Sequence, residues 1–284
     1  MEDQSKSEKK SAVSVVIHSF FVVPFIIAIF AVIIFLIARI MTAEPNTARD
    51  YLEDVKIGGS TKRWQGAFEL SKILSNPDMV PKDDLFVQEM ISAFNYAEHD
   101  RDARIRQYLA IAMGATGDLR YVETLLNALD ESETEVTKAS TFALGNLGDK
   151  RAVEKLIELL GSGSPQVRLQ SVIALGKIGD PYAIPELKKM LMDIEPNVKW
   201  DAAIALAKQK DASGKRILLD LLDRKYLDSF PNIDEIEQVQ VLMVLINIVP
   251  LLSDSDFVEP LTQLKNNDSN LKVREAARKA LLNY

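Results

Sequence analysis

The sequence predicts an all-α chain, an α-α superhelix (a solenoid of stacked helix pairs) preceded by a single transmembrane helix. Three observations predict it: a 31-residue repeat, apolar residues at helical spacing within each copy, and one long uncharged apolar stretch near the start. The repeat is anchored on Asp118, Asp149, Asp180 and Asp211, each 31 residues from the next. Thirteen residues before each stand Ile105, Val136, Val167 and Val198; six before, Ala112, Ala143, Ala174 and Ala205; five before, Met113, Leu144, Leu175 and Leu206. Seven after come Leu125, Leu156, Leu187 and Leu218, and eleven after, Leu129, Leu160, Leu191 and Leu222. A period of this size means small stacked units, because one copy alone cannot bury its apolar face.

Each copy reads as two helices. In the third, Ser164-Pro165 supplies a capping oxygen and a proline suited to the first helical position. Val167, Leu169, Val172, Ala174 and Leu175 then recur at helical spacing. Gly179 is placed to close that helix in the left-handed region, and Asp180 to cap the next, which carries Ile184, Leu187, Met190 and Leu191. Gly117-Asp118 and Gly148-Asp149 repeat the pair; the fourth copy has Lys210-Asp211 and must turn without glycine. The alanine column marks where neighbouring helices approach closely.

The run from Val167 to Asp180, Val-Arg-Leu-Gln-Ser-Val-Ile-Ala-Leu-Gly-Lys-Ile-Gly-Asp, resembles a HEAT repeat of the short bacterial type, the type also found in phycobilin lyases. The resemblance covers residues 101–223 clearly and implies a right-handed superhelix, most often a protein-binding scaffold. Such a motif specifies fold far more than function.

Composition narrows the chemistry. The chain has no cysteine, which excludes disulfides, zinc-thiolate sites and thiol nucleophiles, and only two histidines. Its net charge of −7, with dispersed basic residues, is poorly suited to a phosphate backbone, so nucleic acid is not expected as a partner.

In chain order, residues 1–10 form a polar tail of mixed charge. Residues 11–41 hold the predicted membrane helix: Ser11 to Ala38 lacks Asp, Glu, Lys and Arg, and is too long for a signal-peptide core. Pro24 is expected to kink it. Lys6, Lys9 and Lys10 before the span against Arg39 and Arg49 after it favour an inside N-terminus by a single charge, which leaves the side of the array open. The expected location is the bacterial inner membrane, single-pass.

Residues 42–60, with Pro45 and Gly58-Gly59 around a short acidic helical piece, read as a linker. Residues 61–100 read as a divergent helix pair, with Trp64, Ala67, Phe68, Leu70, Ile73 and Leu74 on the apolar side of the first helix and Leu85, Phe86, Met90, Ile91 and Phe94 marking the second. The four regular repeats fill residues 101–223. Asp211 to Asp254 is one period plus 12 residues, so an insertion loop is placed at residues 224–236. Residues 237–284 restore the columns through Val241, Val249, Asp254, Val258 and Leu261, and end on Val273, Ala280 and Leu281.

No catalytic, cofactor-binding or metal-ligating set can be assembled, and no cofactor is expected. His99, between Glu98 and Asp100, has no second histidine to join it, and His18 lies within the predicted span. Gly145-Asn-Leu-Gly148 and Gly176-Lys-Ile-Gly179 lack phosphate-loop spacing and recur with the repeat, so they read as helix-ending turns. The acidic run from Asp130 to Glu135 fits no calcium loop. Deoxyhypusine hydroxylase, built from similar repeats, binds iron through His-Glu pairs, and this array has none. That leaves the ridge of second helices, which carries Glu123, Asn127, Glu154, Glu158, Pro185, Lys189, Arg216 and Asp220 at equivalent positions. Acidic towards the start of the array and mixed further on, it is the candidate surface for a basic partner segment. Tyr226 and Phe230 mark the insertion as a candidate specificity loop. The reading is a membrane-anchored, non-enzymatic adaptor for membrane-associated proteins; the alternative is an accessory or lyase-type enzyme.

Overall fold

The structure, a computed structural model, describes residues 20, 22–42, 46–100, 102–131, 133–231 and 233–284. They fall into two units divided between Asn46 and Thr47. Every regular element among the described residues is helical.

The first unit contributes α1, Val23–Thr42, a 20-residue helix. Its residues from Val23 to Ile37 are all exposed, Phe25, Ile27, Phe30, Ile34 and Phe35 each above 60%. Pro24 is the second residue of α1, and Phe20 and Val22 before it are helical too, in the π form. The polar tail, His18 and Pro45 lie outside the described residues.

The second unit opens on α2 (Ala48–Ile57), started by a capping box in which Thr47 and Asp50 bind each other's backbone amides. Ala48, Leu52 and Val55 are buried. This corrects the linker reading of residues 42–60: α2 packs on α3 (Ser60–Ile73) and α4 (Asp84–Tyr96) and belongs to the array. Its hold is ionic as well as apolar, through Lys56–Glu89 at 2.8 Å and Lys62–Asp54 at 2.6 Å. In α3 and α4, Ala67, Leu70, Phe86, Met90 and Phe94 are buried, whereas Leu85 is 59% exposed.

The regular copies follow as α5 (Arg104–Ala115) with α6 (Val122–Asn127), α7 (Thr134–Leu147) with α8 (Val153–Leu159), α9 (Pro165–Ile178) with α10 (Ile184–Met190), and α11 (Pro196–Lys208) with α12 (Lys215–Leu221). The anchoring aspartates are equivalent. Asp118, Asp149, Asp180 and Asp211 each accept from the backbone amide two residues on, capping a three-residue 3-10 turn that leads into the second helix. Asp254 repeats this beyond the insertion. Gly117, Gly148 and Gly179 take φ near +70° just before the cap, and in the fourth copy Lys210 is forced to φ +60° instead. At Ser164 the expected side-chain cap is absent: its hydroxyl donates to Gln166 Oε1 at 2.9 Å.

First helices stack directly on one another, α5 on α7 on α9 on α11. The stacking is so close that a Cβ on Gly114, Gly145 or Gly176 would lie 2.5, 2.8 or 3.1 Å from the Cα of Ala143, Ala174 or Ala205. Gly145 and Gly176 are therefore interior helix-crossing residues rather than turn residues; only Gly148 and Gly179 end helices. The second helices α6, α8 and α10 pack mainly on the first helix that follows, whereas α12 packs mainly on α11 before it.

After α12 comes the insertion. It is no open loop, since α13 (Arg224–Asp228) forms within it and Leu227 is fully buried. A capping box at Asp234 and Glu237 then starts α14 (Glu235–Ile248), followed by α15 (Val258–Asn267) and α16 (Leu271–Ala280). The core divides at this point: one buried cluster runs from Ala48 to Leu206 and a second from Trp200 to Ala280, with α11 contributing to both.

Candidate functional site

The ridge residues occupy equivalent places on successive second helices, and all are exposed: Glu123 and Asn127 on α6, Glu154 and Glu158 on α8, Pro185 and Lys189 on α10, Arg216 and Asp220 on α12. Their charges are partly used up inside the array. Arg151 Nη1 donates to Glu123 Oε1 at 2.9 Å, and Lys189 pairs with Glu186 at 2.7 Å. Lys155 sits 3.8 Å from Glu158 and binds Asp130 more closely, at 2.8 Å. Glu154 and Asp220 form no ion pair among the described residues and are the available carboxylates of the ridge.

The turn beneath the ridge has its own electrostatics. Arg120 and Arg151 reach back to the anchoring aspartates, and these side-chain bonds hold Asp118 and Asp149 well below the ordinary carboxylate range. Each arginine also reaches the preceding unit, Arg120 to Asp84 and Arg151 to Glu123. The charges of the turns thus bind copy to copy and are not free for chemistry.

The sequence's other chemical candidates are likewise accounted for. His99 is exposed, while Asp100 beside it pairs with Arg63 at 2.6 Å and Asp102 with Arg104 at 2.7 Å. In the acidic run, Asp130 binds Lys155, Glu131 binds Arg106 and Glu135 binds Lys138. No metal-binding group of three or more such residues occurs among the described residues.

Arg216 and Tyr226, drawn from two different expectations, come together. They line a cleft of about 400 Å³ with Met192, Lys199, Trp200 and Ile217. Tyr226 and Phe230 are half-buried and pack edge-on against Trp200, with ring centroids 6.5 and 4.8 Å away. The predicted specificity loop is therefore pinned to the fourth copy by an aromatic cluster. Sequence reasoning missed Lys199 and Trp200. The available signal was a charge column: Arg106, Arg168 and Lys199 stand at one repeat position, and Glu131, Asp193 and Arg224 stand 25 residues beyond each. The fourth copy puts a cation where two others put a carboxylate.

Residues 92–164 and 153–228 match the family model of HEAT repeats. The middle of this chain carries HEAT repeats. The complex of CpcE and CpcF of phycocyanin lyase from Nostoc sp. PCC7120 is similar at 22% identity, covering 85% of this chain and 89% of that one, with a TM-score of 0.61. The YibA protein of Escherichia coli is similar at 19% identity, covering 83% and 81%, with a TM-score of 0.52. At these identities the likeness shows the HEAT-like solenoid fold. A search of the curated proteins finds no match.

Proposed function

We propose that this chain is a membrane-anchored adaptor whose HEAT-like array docks protein partners of a membrane assembly. The observation that carries the reading is α1. Its apolar stretch, Val23–Ile37, covers about 22 Å at about 1.5 Å per residue, and in the sequence the uncharged run reaches back to Ser11, long enough for a hydrocarbon core of roughly 30 Å. Large apolar side chains point outward all round it. Such a surface is costly in water and at home in lipid. By length and composition Glu235–Leu252 is the stretch among the described residues that could cross a membrane, but its Leu242, Leu245, Ile246, Ile248 and Val249 are buried in the array core, where they have a structural use.

The array supplies the second half of the argument. Its turn charges are consumed in copy-to-copy pairs, while the second helices present a repeated exposed surface. Tethering raises the effective concentration of membrane partners, so a shallow surface suffices. Carbonate extraction of membranes tests the anchor: the full chain stays in the pellet, and a chain beginning at Thr47 moves to the supernatant. Glu154→Lys with Glu158→Lys tests the ridge, where co-purification of a basic partner segment falls while helicity is unchanged.

A second reading, an accessory or lyase-type role, draws on the likeness to the phycocyanin lyase complex. A chain of that kind retains a coloured or reactive small molecule on purification, which an absorption spectrum of the purified protein detects.

A further inference from the structure

The insertion leaves two cations without partners beside an aromatic wall. In the first and third copies an arginine in the first turn of the first helix clamps the loop behind the second helix: Arg106 on Glu131, and Arg168 on Asp193 through bonds of 2.7 and 2.8 Å. In the fourth copy the clamping residue is Lys199, and the loop position holds Arg224. Arg224 turns away, binding Asp268 at 2.8 and 2.9 Å and Gln238 at 3.1 Å. Lys199 is left with no ion pair among the described residues. Arg216 is likewise unpaired among them, although the neighbouring Lys215 binds Asp254 and Asp256. Both cations open on the cleft walled by Trp200 and Tyr226, and Met192 at its mouth is 86% exposed.

We propose that this cleft captures a segment of a partner protein that presents a carboxylate beside a large apolar side chain. The apolar group seats against Trp200, Tyr226 and Met192, and the carboxylate meets the forked guanidinium of Arg216 with Lys199 behind it. Three features select that occupant. Two cations outside any ion pair among the described residues, Lys199 with only the longer-range charge of Asp193 near it, favour an anion and disfavour a basic segment. A volume of about 400 Å³ has room for one large anchoring side chain and its neighbours. The mutually edge-packed rings of Trp200, Tyr226 and Phe230 hold the wall rigid, which lowers the entropic cost of binding. The inference deepens the adaptor reading and rests on it only in treating the array as a peptide-binding surface; it needs neither the membrane helix nor the acidic ridge.

Trp200 is one of two tryptophans, so in the purified full-length chain a Trp64→Phe substitution makes its emission a reporter of the cleft. The probes are capped hexapeptides differing at a central pair, Asp-Phe, Asn-Phe, Asp-Ala and Lys-Phe, with inorganic phosphate as a plain anion. The expected result is a saturable change in emission with Asp-Phe, at least about tenfold weaker binding of the other three peptides and of phosphate, and loss of the response in Lys199→Ala with Arg216→Ala. Circular dichroism confirms that this variant keeps its helices. Equal binding of Asn-Phe and Asp-Phe, equal binding of phosphate, or no change with any peptide overturns the proposal. Failure here with loss of partner in the Glu154→Lys, Glu158→Lys variant removes the cleft and leaves the adaptor standing. Failure of both removes the adaptor as well.

Discussion

A methyl group added at Gly145 would meet the Cα of Ala174 at 2.8 Å, inside a helix where alanine is otherwise the better residue. Crowding outweighs propensity here, because the obstacle is the backbone of the next helix and cannot rotate aside. Gly145→Ala is expected to lower stability by about 1–3 kcal/mol in urea denaturation. Lys210 offers the reverse case. At φ +60° its Cβ strains the turn, and Gln209 next to it has both side-chain polar atoms buried without a partner. Lys210→Gly should raise stability by about 1 kcal/mol in the same assay. Half-buried Asp201 adds a pH dependence. Burial pushes its carboxyl up to about 6, with the charge of Lys208 offsetting part of the effect. A raised carboxyl favours the folded state while protonated, so this contribution is present below pH 4 and lost as pH rises through about 6. Asp201→Asn is therefore expected to raise the melting temperature at pH 8, by about 1–2 kcal/mol of stability, and to change little at pH 4.

Among the elements, the insertion is the hinge of the energetics. Asp268 is fully buried on its side chain and held by Arg224. Burial alone would raise its pKa, but the Arg224 bonds and the Asn270 amide bring it below the ordinary value. Arg224→Ala strands that carboxylate and should cost about 3–5 kcal/mol. Hydrogen exchange locates the damage: amides of α14 to α16 should speed up, while those of α5 to α9 keep their protection. The elements were unevenly legible in the sequence. The regular helix pairs announce themselves because leucine and alanine columns are set by burial within a copy. The glycine column is ambiguous in the sequence, since Gly145 and Gly148 sit in one short run and spacing does not say that Ala174 lies across from the first. Helix α2 reads as a linker in the sequence because its burial comes from α3 and α4, while its own ten residues are flanked by polar chain and Gly58-Gly59.

For the molecule as a whole, exposure along the second helices followed from the period, since equivalent positions in a stack share one environment. The cleft did not follow, because Arg224 chooses a partner 44 residues away and no local pattern records that choice. The proposed adaptor joins an apolar helix to an array with a docking surface, and the proposal requires both. Site-specific photo-crosslinking in intact cells tests this most directly, with the crosslinker placed at Glu154, Arg216 or, as a control, Gln166 on the first-helix side of the third copy. The account predicts that Glu154 and Arg216 yield discrete membrane-protein adducts, that Gln166 yields none, and that deleting residues 1–46 abolishes them. Adducts that form equally from all three positions, or that persist without residues 1–46, would contradict it.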